Sequence, residues 1–235
     1  MTATVSTNFT KGSIASVSLK RKVRLVLWGG AYATSDNSTF EWAAKRVIKD
    51  YTDNDKQKYE IIFKRIDSAE SFALSISDQN QDSIHSLDLF THGGPDHFFM
   101  VSVRQEQGGG LNKFKWYRYL FHNSSLSRGD LEKLQYERFA EDAKVEFHGC
   151  QTAKEPKEED NIAADFSRFL FIAGKTHSAV IGHVDKANPN RPVKSGVARF
   201  IDQDYRWGQR AIYKDGNLKA ITRQEGATNE RAFSK

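Results

Sequence analysis

The pattern that most constrains this chain is a recurrent change of hydrophobic period, from short continuous apolar runs to stretches whose apolar residues fall three and four apart. Val23–Trp28 (VRLVLW) runs into Gly29-Gly30 and reads as a buried strand closed by a turn. Phe40, Ala44, Val47, Ile48 and Tyr51 then recur at helical spacing, and Ser38 with Glu41 has the capping-box spacing that predicts the helix start. Residues 59–66 (YEIIFKRI) form the next expected strand, followed by a helix that starts at Asp67/Ser68 and carries Ala69, Phe72, Ala73 and Ile76 on one face. The third strand is 87–91 (LDLFT). Ser127 with Asp130 predicts another helix, with Leu131, Leu134 and Phe139 as its apolar face, before a fourth strand at 145–147 (VEF). Ile162, Phe166, Phe169, Leu170 and Ala173 mark a last helix stopped by Gly174, and 178–181 (SAVI) is the fifth strand.

Strands alternating with helices imply an α/β fold: a mostly parallel central sheet with helices on both faces, because right-handed crossovers place them there. Two stretches break the alternation. Residues 98–127, with apolar alternation on either side of Gly108-Gly109-Gly110, predict a β-hairpin insertion beside the main sheet. Residues 211–213 and 218–221 flank Asp215-Gly216, the signal of a tight terminal hairpin.

The 235 residues suit one domain, expected over 21–225, with a polar leader at 1–20 and a frayed tail at 226–235. The leader lacks the continuous apolar segment of a secretory signal. No apolar run approaches the roughly 18 residues that a membrane span needs, so no membrane partner is expected. A single cysteine makes no intramolecular disulfide, and cytoplasmic residence is the expectation. The formal charge of +5 is spread along the chain, and its densest basic and aromatic run, 113–119 (KFKWYRY), reads as a half-buried hairpin strand. No nucleic-acid partner is expected, and no residue pattern speaks to oligomeric state.

In open parallel sheets, ligands bind at the carboxyl ends of the strands. Two of these ends carry chemistry. The third strand runs into His92-Gly93-Gly94, and the fourth into His148-Gly149-Cys150-Gln151-Thr152. A thiol becomes a good nucleophile near neutral pH when a base stands beside it, and adjacent parallel strands would bring Cys150 and His92 together. The glycines let backbone approach a substrate, and the N–H groups of Gly93 and Cys150 are candidate donors to the oxyanion of a tetrahedral intermediate.

An apolar strand ending in His-Gly (LDLFTHGG), followed by one ending in a small residue and Cys (VEFHGCQTA), resembles the clan of cysteine peptidases that includes caspases, gingipains, clostripain and legumain. The resemblance covers residues 22–185. It implies a caspase-like fold and a cysteine endopeptidase acting on proteins or peptides, with His92 as general base and Cys150 as acylated nucleophile. It also implies Gly93 and Cys150 as the oxyanion hole, no obligatory third carboxylate, and no metal or other cofactor. His148, Gln151 and Asp185 are candidates for the substrate pocket. Asp185, in Gly182-His183-Val184-Asp185, would favour Arg or Lys before the scissile bond. Clan members are often activated by cutting of a surface loop, for which 154–160 (KEPKEED) and 108–128 are candidates by exposure.

Three other readings compete. Residues 91–97 (THGGPDH) also resemble a metallo-β-lactamase-type motif, with Gly94 where the middle histidine would stand; His148, Cys150 and His183 would be distant ligands, and such a metal-dependent hydrolase would be chelator-sensitive. A caspase-like module that only binds a partner is the second, and acyl transfer to an amine instead of water is the third. His85 and His122 read as surface positions, His177 as the residue before a strand, and His97 is given no role.

Overall fold

A computed structural model describes residues 22–31, 34–55, 58–102, 125–189 and 203–228. Its centre is a seven-stranded sheet built from β1 (Val23–Trp28), β3 (Glu60–Arg65), β4 (Ile84–Phe90), β9 (Phe139–Phe147), β10 (Ala179–His183), β11 (Arg210–Lys214) and β12 (Asn217–Thr222). Their spatial order is β12-β11-β10-β9-β4-β1-β3. Within this sheet β1, β3, β4, β9 and β10 pair in parallel, β11 returns antiparallel to β10, and β12 is antiparallel to β11. The turn between β11 and β12 is Asp215-Gly216, both at positive φ, 57° and 78°, as a two-residue hairpin requires.

Helices cover both faces. On one side α2 (Ala69–Ser77) and α3 (Ile162–Ile172) bury Phe72, Ile76, Ile162, Phe166 and Leu170 against Leu25, Leu87, Leu89, Val145, Phe147 and Val180. Each large side chain removed from water here contributes about 1.5–3 kcal/mol, so this face supplies most of the apolar stabilisation. On the other side α1 (Thr34–Asp55) lays Phe40, Ala43, Ala44 and Val47 on Val26 and Phe90. That second face is mixed. Along it, Asp88, Glu146, His148, His183 and Arg210 are all buried, because the alternation that turns Leu87 and Leu89 to the apolar layer turns their neighbours to α1.

Small sheets sit above the carboxyl ends. β5 (His92–Gly93), β6 (His97–Phe99) and β8 (Ser125–Ser127) form one, and β2 (Gly30–Ala31) with β7 (Val101–Ser102) the other. The expected first arm of the insertion is thus split at Met100 between two sheets; the triglycine and the 113–119 run lie outside the described residues.

Local starts differ in places from the sequence expectation. Ser68 caps α2 as expected, accepting from the Ser71 N–H, and Gly174 follows α3 at φ 80°. α1 instead starts at Thr34, so Ser38 lies inside it, since the run TSDNS offers start-favouring residues earlier. The helix expected from Ser127 is two short 3-10 helices, Arg128–Lys133 and Tyr136–Arg138; buried Leu131 and Leu134, the residue after the first, keep a spacing of three. Phe139 then opens β9. At the tail, Gly226 donates to the Arg206 carbonyl at 2.7 Å and Thr228 is buried, so packing continues through the start of the stretch expected to fray. No helix among the described residues is long and apolar enough to cross a membrane.

Candidate active site

β4 and β9 are neighbours, and their register pairs Ser86 with Lys144, Leu87 with Val145, Asp88 with Glu146 and Leu89 with Phe147, an offset of 58 (147 − 89). Extended beyond the ladder, that offset would pair Phe90 with His148 and His92 with Cys150, but the two chains leave the sheet after Phe90 and Phe147. The first of these is visible directly: the Phe90 and His148 rings stack at 4.0 Å with planes 9° apart. Beyond it the two loops touch through their glycines. A Cβ on Gly149 would lie 3.1 Å from the Gly93 Cα, and one on Gly93 would lie 3.0 Å from the Cys150 carbonyl oxygen, so a side chain at either position would force the loops apart.

Both site residues converge on the α1 layer. The His92 ring meets Phe40 of α1 edge to face at 5.0 Å. The Cys150 thiol donates to the Ala187 carbonyl at 3.6 Å, and Ala187 packs against the cluster that contains Phe40, Phe90 and Tyr205. Cys150 is partly exposed, as a nucleophile has to be.

The turn that carries the thiol is fastened on two sides. The Thr152 hydroxyl donates to the Gly149 carbonyl at 3.2 Å and accepts from the His183 N–H at 3.1 Å. Backbone bonds run from Gln151 N–H to Asp185, from Ala153 N–H to His183 and from Ala163 N–H, in the first turn of α3, to Thr152. On the histidine side, the Gly94 N–H donates to the His97 carbonyl at 2.9 Å, which makes 94 and 97 a hydrogen-bonded pair of the β5/β6 ladder. Bonded and non-bonded pairs alternate in antiparallel ladders, so the Gly93 N–H, paired with Phe98, faces away from β6.

The expected pocket residues fare differently. His148 is fully buried, pairs through Nε2 with Asp88 at 3.1 Å and lies flat on Phe90, on the face that strand alternation turns toward α1. Gln151 is partly exposed at φ 55°, next to the thiol. Asp185 is exposed, in the segment that the Cys150 turn bonds to. His85, expected at the surface, packs against Tyr59 beside Asp142, whereas His177 is exposed; His122 lies outside the described residues. Loop 154–160 is largely exposed but held: Arg128 pairs with Asp160 at 2.5 Å, and Glu159 accepts from the Leu218 N–H at 2.7 Å.

Below the site runs a buried polar ladder that no periodicity announces. Tyr51 donates to Asp88 at 2.6 Å, Glu146 pairs with Arg210 and with Lys144, and Arg210 also donates to the Gln224 and Gly226 carbonyls. Burial opposes ionisation of Glu146, but Lys144 and Arg210 hold its carboxyl well below the usual range. Burial, with the charges of His148 and Arg210, pushes His183 down to about 3, so it stays neutral.

Asp88, Glu146 and His148 are the one group of described side chains spaced to share a metal ion. Their carboxylates already face Tyr51, His148, Arg210 and Lys144, so an added cation would have to displace protein cations. None of the three belongs to the THGGPDH segment. Asp96 of that segment pairs with Arg128, and His97 stacks on Phe99.

Compared with family models, curated proteins and solved structures, the chain matches none.

Proposed function

We propose that this chain is a cysteine endopeptidase of caspase-like fold, acting through a His92–Cys150 dyad. The observation that carries the reading is the β4/β9 register, whose offset equals the separation of His92 and Cys150 at the carboxyl ends of two adjacent parallel strands. In the proposed cycle His92 takes the proton from the Cys150 thiol, and the thiolate attacks the carbonyl carbon of a peptide bond. The resulting oxyanion is stabilised by the N–H groups of Gly93 and Cys150. The His92 imidazolium then gives its proton to the departing amine, leaving a thioester on Cys150. Water, deprotonated by His92, attacks the thioester and releases the acid, restoring the thiol. An exposed carboxylate at Asp185, beside the Cys150 turn, favours substrates with Lys or Arg before the scissile bond.

The test is cleavage of a diverse peptide mixture, with new termini read by mass spectrometry. The wild type should cut, Cys150→Ala should lose about a thousandfold or more, and a metal chelator should leave the rate unchanged. Cleavage that survives Cys150→Ala, or that a chelator abolishes, would count against the dyad.

A further inference from the structure

We infer that Phe40 is a positioning residue for the His92 imidazole, backed by Tyr205; the inference rests on the dyad proposed above. In a catalytic triad a third side chain orients the base. A fixed neighbouring ring restricts an imidazole in the same way. The Phe40 and His92 rings meet at 5.0 Å with planes 87° apart. Phe40 is only 3% exposed, so it has little room to swing.

Behind Phe40, Tyr205 stacks at 5.5 Å and 18°, and Tyr205 leans on Phe90 at 6.3 Å and 63°. Phe90 in turn carries His148. Five rings therefore run in contact from His92, just past β4, to His148, just past β9. The segment bearing Tyr205 is tied to the helix bearing Phe40. Arg206 donates to Asp204 at 3.0 Å and to Asp50 of α1 at 2.6 Å, and Arg46 of α1 pairs with Asp204 at 3.3 Å. The Asp204 N–H also donates to the Pro189 carbonyl at 3.0 Å, which joins this segment to the one whose Ala187 accepts from the thiol. Phe40 is thus backed by Tyr205 and meets His92 on its other contact.

The experiment is the rate of Cys150 alkylation by iodoacetamide at about pH 7 and about pH 9.5, either side of the ordinary thiol pKa of about 8.5. At the lower pH the rate draws on His92 as the base; at the higher, hydroxide from the solvent can take the proton instead. Phe40→Leu keeps an apolar side chain but removes the ring. It should slow labelling about fivefold to tenfold at the lower pH and leave the higher-pH rate within about twofold. Tyr205→Leu should show the same pattern more weakly, and it decides the matter if Phe40→Leu does not fold. Val47→Ala, in the same cluster at 1% exposure, should lower Tm without changing the ratio of the two rates. A wild-type ratio in the Phe40 variant, or an equal change in the Val47 variant, overturns the positioning role. His92→Ala run alongside separates the two claims: slow labelling in it with normal labelling in Phe40→Leu removes only the positioning role, whereas normal labelling in His92→Ala removes the dyad as well.

Discussion

The mixed face of the sheet is where individual side chains decide stability. Arg210 is fully buried and stands between a buried carboxylate, Glu146, and the backbone carbonyls of Gln224 and Gly226, so its charge is matched by an anion and two acceptors. His183 is different. It is buried at the end of β10 and kept neutral by burial and by nearby positive charge, with its pKa lowered from the ordinary 6.5 to about 3. Unfolded chains bind its proton below about pH 6.5 while the folded protein does not, so folding stability falls as the pH drops through that window. The slope from this one group is at most about 1.4 kcal/mol per pH unit. His85, also lowered by burial, adds in the same direction. Glu146, with an ordinary value of 4.5 that is itself lowered, enters only at more acid pH. Thermal melts between about pH 6.5 and pH 5 should therefore show Tm declining with acid in the wild type and declining less in His183→Asn. Equal slopes in the two would show that His183 is not held neutral.

At the scale of elements, the candidate site depends on how α3 begins. Asn161 is fully buried and caps that helix by accepting from the Ala164 N–H at 3.0 Å, while its amide donates to the Tyr213 hydroxyl at 2.9 Å and to the Lys154 carbonyl at 3.2 Å. One side chain thus links the helix start, the hairpin strand β11 and the loop that follows the Cys150 turn. Asn161→Ala should cost about 2–3 kcal/mol in urea unfolding, a lost cap plus a buried hydroxyl left without its partner. Ser68→Ala, a cap remote from that turn, should cost only about 1 kcal/mol. A smaller loss for Asn161→Ala than for Ser68→Ala would contradict this assignment of the linkage. The start at Ser68 was readable in advance because a start-favouring residue stands directly before the apolar-periodic run. The role of Asn161 was not, because two of its partners are brought to it by the tertiary fold. Residues 127–139 misled for a related reason: the Ser127 and Asp130 signal is local and real, but the chain continues as two short 3-10 segments and enters β9 at Phe139.

Across the whole molecule, the legible part of the site is what adjacent strands carry. LDLFTHGG and VEFHGCQTA each announce a strand end, and parallel pairing of β4 with β9 brings those ends together. The ladder from Asp88 to Arg210 was hidden for one physical reason, and Phe40 and Tyr205 for another. A strand buried on both faces shows no alternation to separate an apolar layer from a polar one, so Asp88 within LDLF looks incidental. Phe40 reads as an ordinary core residue of an amphipathic helix, and only the fold sets it against His92. The central claim, that this architecture exists to activate one thiol, is tested most directly by intact mass after brief exposure to a peptidyl acyloxymethyl ketone, comparing the wild type with His92→Ala. The account predicts a single adduct on Cys150 that forms quickly in the wild type and at least about a hundredfold more slowly without the imidazole. Equally slow labelling in both proteins would mean that Cys150 is an ordinary thiol and would contradict the account.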